Sequence, residues 1–241
     1  MKKSYIESFW LIDRAQKEYV CAVCIYELAE AKKLWDRKDI WADEDKKVFD
    51  SMKSDKSRIS YMLGRVCAKR AVAELLPQDM SKIWIQNGIF GQPIMDNSGM
   101  KVSITHTDSM GAGIAFSGHL LMGIDLEKID IKRFHVLECI ISLKERALIR
   151  KFVKKEIDVL ITIWTVREAL GKAICTGITI PEHLVEIEEV MLEEDGSLKS
   201  LFKNFPQYQA KSWIGKENVM TIVFPANTDW KGYLDCKEIN L

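Results

Sequence analysis

The sequence predicts an α+β protein of two similar subdomains, each a long helix packed on an antiparallel sheet. Three observations carry that prediction. The stretches 57–76 and 155–176 place apolar residues at helical spacing over many turns. Short runs rich in apolar and β-branched residues, separated by Gly, Asp and Ser, recur between and after them. The order of helices followed by hairpin-like runs occurs once in each half, and each half has a normal domain size of about 120 residues. The repetition is one of order, not of residues. It divides the chain into 1–121 and 122–241.

Composition bounds the function. The 241 residues are 47% hydrophobic and 29% charged, enough to bury a sizeable core. Lys+Arg and Asp+Glu are both 35, so no net field draws the chain to nucleic acid or membrane, and any anion site must be local. The opening M-K-K is followed by the short apolar run F-W-L-I and then Asp13 and Arg14, too brief for a signal-peptide core. No run reaches membrane-spanning length. A cytoplasmic protein is expected. Cys21 and Cys24 lie three apart in Y-V-C-A-V-C-I-Y, so on a strand their thiols face opposite sides and read as small buried hydrophobes. Cys67, Cys139, Cys175 and Cys236 are scattered, without zinc-site spacing.

Along the chain, 19–27 reads as a strand. Residues 28–36 and 43–53 read as charged helices, the second with D-E-D near its start, as a helix dipole favours. In 57–76, Ile59, Met62, Leu63, Val66, Ala73 and Leu76 share one face, Arg58, Arg65, Lys69 and Arg70 another, and Pro77 stops the helix. Residues 82–87 read as a strand and 87–93 as an irregular loop. The runs 101–107, 111–117 and 119–127, with short polar connectors, predict a three-stranded antiparallel meander. One or two short helices are expected in 133–150, a long one in 155–176 bounded by Gly177, and alternating strands in 184–224.

The chemistry starts at G-I-D-L-E, residues 123–127. Asp125 and Glu127 share a strand face, where two carboxylates repel each other and resist desolvation unless a cation or water relieves them. A strand that simply ends in solvent is the plain alternative. The second long helix argues for a site: Trp164, Glu168 and Lys172 fall four apart on one stripe, with Arg167 adjacent, amid strongly apolar sequence. Two acids from a strand and one from a helix make a hard, all-oxygen donor set suited to Mg2+. Lys172 beside them suits a phosphate or leaving group. His106, closing V-S-I-T-H, is a further phosphate donor, or else a polar cap of the sheet.

These pieces resemble the Sfp-type 4′-phosphopantetheinyl transferases: Gly91-Gln92-Pro93, then Thr105-His106-Thr107, then Gly123-Ile124-Asp125-Leu126-Glu127, then Trp164-Thr165-Val166-Arg167-Glu168-Ala169-Leu170-Gly171-Lys172. The resemblance covers roughly residues 45–180, with L-G-R-V-C-A-K (63–69) matching the family's first long helix. It implies the 4′-phosphopantetheinyl transferase fold, two subdomains in pseudo-twofold arrangement with the active site at their junction. The first would serve the nucleotide side of coenzyme A and the second the metal and catalytic carboxylates. It implies Mg-dependent transfer of the phosphopantetheine arm of coenzyme A to a serine of an apo acyl, peptidyl or polyketide carrier protein, releasing 3′,5′-ADP.

By match to the motifs, Asp125, Glu127 and Glu168 would hold Mg2+. Glu168 would be the base, directly or through a water. Lys172 would neutralise the diphosphate and protonate the leaving phosphate. Arg167, His106 and Thr105 would contact coenzyme A phosphates, with the Gly91-Gln92-Pro93 loop at the nucleotide. Gln92 stands where the family commonly has Lys, removing one cation. The basic residues that some members place before the long helix do not align with Lys46 and Lys47, so the 3′-phosphate is assigned to Arg58, Arg65 and Lys69. A carrier protein, acidic by family expectation, would dock on the apolar and basic segment 133–150, with Lys144 and Arg146 on its rim. The internal pseudo-twofold makes a monomer sufficient. Two other readings stand beside this one. A protein of the same fold could bind coenzyme A or a carrier without transfer, for which three intact carboxylates are unnecessary. A two-metal nuclease would also cluster carboxylates but calls for a basic groove.

Overall fold

The computed structural model describes residues 4–95, 99–235 and 241; Met1–Lys3 of the opening M-K-K and Cys236 lie outside the described residues. The chain is α+β and divides into two compact units, Met1–Leu120 with Trp230–Leu234, and Leu121–Asp229 with Asp235–Leu241. The sequence division at 121/122 does not include this return of the tail to the first unit.

The first unit contains β1 (Ser4–Asp13), β2 (Glu18–Glu27), α1 (Leu28–Lys32), α2 (Asp43–Ser51), α3 (Asp55–Leu75), β3 (Ile85–Asn87), β4 (Pro93–Met95), β5 (Met100–His106) and β6 (Met110–Ser117). The second contains β7 (Gly123–Lys128), α4 (Phe134–Ile140), α5 (Leu143–Ile149), α6 (Glu156–Ala173), β8 (Ile187–Leu192), β9 (Leu198–Phe202), β10 (Tyr208–Ile214) and β11 (Asn218–Pro225). β12 (Thr228–Lys231) closes the chain's strands, and the sheet orders are β12-β1-β2-β6-β5, β7-β11-β10-β9-β8 and the hairpin β3-β4. Among the described residues no helix is long and apolar enough to cross a membrane.

Two elements depart from the sequence expectation. The F-W-L-I run belongs to β1, which pairs antiparallel with β2 along its length. Its alternation is real, with Phe9 and Leu11 buried and Trp10 outward, but Trp10 is itself apolar and hides the period. Phe9 stacks on Trp230 at 3.8 Å between ring centroids. The meander stops at two strands. β5 and β6 form the expected hairpin, whereas the third run starts as a strand only at Gly123 and pairs with β11, Gly123 opposite Val223 and Lys128 opposite Asn218. Short connectors show which strands are sequential, not which ones pair.

In each unit a long helix lies on the sheet where a strand glycine admits it. A Cβ on Gly113 of β6 would meet the Ala68 backbone of α3, and one on Gly123 of β7 would meet Ala169 O and Ala173 N of α6. α3 starts at Ser54, whose hydroxyl accepts from Ser57 N at 3.1 Å, an N-cap. α6 buries Ile163, Val166 and Leu170 against Val219, Val223 and Phe202.

The basic face expected on α3 is not solvated throughout. Lys69 is fully buried, ion-paired with Asp45, and its ammonium donates to Ile40 O at 3.1 Å and Met80 O at 3.3 Å. Asp45 in turn accepts from Tyr61 Oη and from Ala42 N, each at 3.0 Å. Desolvation lowers the Lys69 pKa, and Asp45 opposes that shift. The pair ties α2 and the segment before it to the long helix. Removing one partner leaves the other buried and uncompensated. Asp45→Ala is expected to lower the unfolding free energy by about 3–5 kcal/mol, measured by urea denaturation. Replacing Lys69 by Met in the Asp45→Ala background is expected to recover part of the loss.

Candidate functional site

Two elements of the second unit and the segment between β7 and α4 build the site. Asp125 and Glu127 alternate along β7 and share the face that α6 covers. That follows from Gly123: it lies on the same face, and without a side chain it lets the α6 backbone settle against the strand. Asp125 is consequently only 4% exposed, so the strand does not run out into solvent there. Ile124 and Leu126, on the opposite face, are buried too.

From α6, Trp164, Glu168 and Lys172 project along one stripe. Lys172 Nζ donates to Asp125 Oδ1 at 2.8 Å. Trp164 Nε1 donates to Glu127 Oε1 at 2.9 Å. The second Glu127 oxygen accepts from Arg133 Nη1 at 2.6 Å, and the Arg133 guanidinium lies 5.3 Å from the centre of the Trp164 ring. Three acids face two cations, which leaves negative charge in excess. Glu168 shows the result: its pKa is pushed up to about 7, first by burial, then by Asp125, with Glu127 adding to the rise and Lys172 and Arg133 opposing it. Glu127 is raised as well, by burial and by Asp125, against Arg133 and Trp164.

The donor set fits Mg2+ in its chemistry: hard oxygens, partly desolvated, with an unrelieved negative charge. Among the described residues no group of three His, Cys, Asp or Glu side chains is gathered at ligating spacing. Asp125 and Glu127 are turned instead toward the chain's own cations.

Other residues singled out by sequence fall in different settings. Arg167 does not join the stripe. It is buried, its Nη2 donating to Glu145 Oε2 at 2.7 Å and its Nη1 to Ile140 O at 3.2 Å, so its charge is committed inside the second unit. Lys69 is equally committed, to Asp45. Arg146, expected on a docking rim, is buried and bonded to Glu138 O at 2.8 Å, whereas Lys144 is exposed.

In the first unit His106 ends β5 with its side chain exposed, and Thr105 is buried. Thr107 Oγ1 closes the turn to β6, accepting from Met110 N at 3.1 Å. Gly91 takes φ +76° in the β3–β4 turn, Gln92 Oε1 accepts from Phe90 N at 2.9 Å, and Pro93 opens β4. The Gln92 carboxamide thus braces its own loop. Arg58 is half-exposed, its Nε donating to Met52 O at 3.0 Å. Arg65 is 6% exposed, donating to Asn87 Oδ1 at 2.6 Å, with its guanidinium over the Tyr61 ring.

Arg133 and Glu145 escaped the sequence reading as site or anchor residues. Nothing in K-I-D-I-K-R marks which basic residue turns back to Glu127. Glu145 did carry a signal, the capping box S-L-K-E at 142–145. Ser142 Oγ accepts from Glu145 N at 3.2 Å and donates to Glu145 Oε2 at 2.8 Å.

Two predictions follow from this geometry. Gly123→Ala forces β7 and α6 apart and is expected to cost about 1–3 kcal/mol of stability, read by urea denaturation. Because Glu168 holds its proton more tightly folded than unfolded, its contribution to stability falls as pH rises from about 4.3, the ordinary carboxyl value, to about 7. The melting temperature of wild type is therefore expected to drop more between pH 5 and pH 8 than that of Glu168→Gln, and millimolar Mg2+ to restore wild type at pH 8. Parallel slopes for the two proteins, measured by differential scanning calorimetry, would refute the assignment.

Residues 121–224 match the sequence model of the 4′-phosphopantetheinyl transferase superfamily. No curated protein matches the chain. Among solved structures, the chain resembles a holo-(acyl-carrier-protein) synthase from Bacillus anthracis str. Ames, solved in complex with CoA (3′,5′-ADP). Identity is 18% with a TM-score of 0.37, covering 45% of this chain and 96% of that one. The part of the chain that is similar to the 4′-phosphopantetheinyl transferase superfamily is thus residues 121–224, the stretch that carries Asp125, Glu127, Glu168 and Lys172.

Proposed function

We propose that the protein transfers the phosphopantetheine arm of coenzyme A to a serine hydroxyl of an apo carrier protein, releasing 3′,5′-ADP. The observation that carries this reading is Glu168. It is a carboxylate poised near neutrality, flanked by Asp125, Glu127 and the Lys172 ammonium, within the segment that matches the superfamily.

In the reaction, a bond forms between the serine oxygen and the β-phosphorus of coenzyme A, and the bond from that phosphorus to the bridging diphosphate oxygen breaks. A serine hydroxyl is a poor nucleophile at neutral pH and needs a base within reach. Glu168 takes its proton, directly or through a water. Lys172 neutralises the departing phosphate and can supply its proton. Asp125, Glu127 and Glu168 would hold Mg2+, whose role is to neutralise the diphosphate as charge shifts to the leaving group. Phosphoryl transfer asks little else of a protein than alignment and charge stabilisation.

For the coenzyme A phosphates, the first unit offers His106, Arg58 and Arg65. Lys69 and Arg167 are dropped, because their charges are satisfied by buried carboxylates. The carrier is assigned to the surface around α4 and α5, where Ile131, Val136 and Leu143 are exposed beside Lys132 and Lys144. An acidic carrier complements that rim.

The direct test incubates the protein with coenzyme A, Mg2+ and an apo carrier protein and follows the carrier's intact mass. Wild type is expected to add the phosphopantetheine arm, and Glu168→Gln to slow transfer by about 100- to 1000-fold. Coenzyme A binding with no mass gain by wild type would replace this reading with a non-catalytic binder. Lys144→Glu is expected to raise the KM for the carrier with kcat little changed, since a rim charge acts on encounter.

A further inference from the structure

Glu127 has both oxygens engaged by its own chain, in two different ways. Trp164 Nε1 holds Oε1 as a neutral donor from the rigid α6. Arg133 holds Oε2 as a cation, from the single helical turn Ile131–Arg133 that follows β7. That turn is pinned by Asp130, whose carboxylate accepts from Lys132 N at 2.9 Å and whose carbonyl accepts from Arg133 N at 3.0 Å. Arg133 and Glu127 remain partly open to water, with side-chain exposures of 32% and 25%. The guanidinium also lies against the Trp164 ring. The remaining charges near this carboxylate are Asp125, Glu168 and Lys172, the last bonded to Asp125.

We infer that Arg133 is a placeholder for the divalent cation: it neutralises Glu127 in the metal-free protein, competes with the metal for Oε2, and swings off Glu127 and the Trp164 ring when the metal binds. The inference rests on the metal-binding reading of Asp125, Glu127 and Glu168. Its physical basis is the unequal strength of the two contacts. An Arg–carboxylate pair that water still reaches, at 32% and 25% side-chain exposure, is exchanged more readily than a fully buried one. The indole hydrogen bond need not break, because Trp164 is neutral and occupies the other oxygen. It acts as a positioning residue that keeps Glu127 aimed while its counter-charge changes, as partners of metal ligands commonly do. The arrangement also accounts for the absence of a gathered three-acid cluster among the described residues: Glu127 is turned to Arg133. Once released, Arg133 has a free guanidinium beside the site, suited to an anionic group of an incoming substrate.

The experiment titrates Mn2+, without coenzyme A or carrier protein, into wild type, Arg133→Gln, Glu127→Gln and Trp164→Phe, reading bound Mn2+ by electron paramagnetic resonance and indole emission by fluorescence. Arg133→Gln is expected to bind Mn2+ about 2- to 5-fold more tightly than wild type at low ionic strength, the range a weak surface pair converts to. Wild type is expected to shift its emission on binding, a shift lost in both Trp164→Phe and Arg133→Gln. Glu127→Gln is expected to weaken binding strongly. A simple structural role for Arg133 cannot tighten binding. Unchanged or weaker Mn2+ affinity in Arg133→Gln, while wild type binds Mn2+ and carries out transfer, would overturn the placeholder role alone. No Mn2+ binding by wild type would overturn the metal reading and this inference with it.

Discussion

The contact of the α6 backbone with β7 at Gly123 is the constraint on which the site depends. A strand lined with side chains keeps a helix at a distance set by those side chains. At Gly123 nothing intervenes, and Ala169 and Ala173 come down onto the strand. That approach brings Lys172, between those two alanines, to Asp125 and, about two turns earlier on the helix, Trp164 to Glu127. It also removes water from the carboxylates. Burial strengthens every interaction among them, repulsive and attractive alike, and Glu168 registers the balance by holding its proton to about pH 7. A cation brought to this cluster would meet groups whose charges are already in need of relief.

Each unit holds an ion pair in its interior as well as its apolar core. In the first, Lys69 of α3 meets Asp45 and also gathers the carbonyls of Ile40 and Met80. In the second, Arg167 of α6 meets Glu145 and gathers Ile140 O, while Glu145 accepts from Ile187 N at the start of β8. In both, a basic residue on the long helix also donates to backbone carbonyls outside the sheets, those of Ile40 and Met80 in the first unit and of Ile140 in the second. Buried pairs add little net stability but are costly to break. Their presence here reads as fixing where the connecting segments lie, and it withdraws two strong cations from ligand binding.

The two cations in contact with the acidic cluster, Lys172 and Arg133, differ in character. Lys172 comes from the rigid helix and lies against a buried acid, whereas Arg133 comes from a single turn at a partly exposed one. In the proposed reaction the first would stay beside the reacting phosphate and the second would move.

Much of this was legible in the chain itself. The long helices announce themselves by the spacing of Leu63, Val66, Ile163 and Leu170, and the strands 187–225 by alternation. The spacing within G-I-D-L-E puts Asp125 and Glu127 on one strand face, and that within W-T-V-R-E-A-L-G-K puts Trp164, Glu168 and Lys172 on one helix stripe, because period-two and period-3.6 geometry is local and each side chain's direction follows from its neighbours. Tertiary structure alone decided that β7 pairs with β11 rather than β6, that Lys69 and Arg167 are interior while Lys172 is not, and that Arg133 closes on Glu127. A charged residue on a helix looks the same in sequence whether solvent or another segment lies above it. Which one does depends on residues remote along the chain, and no local period encodes that.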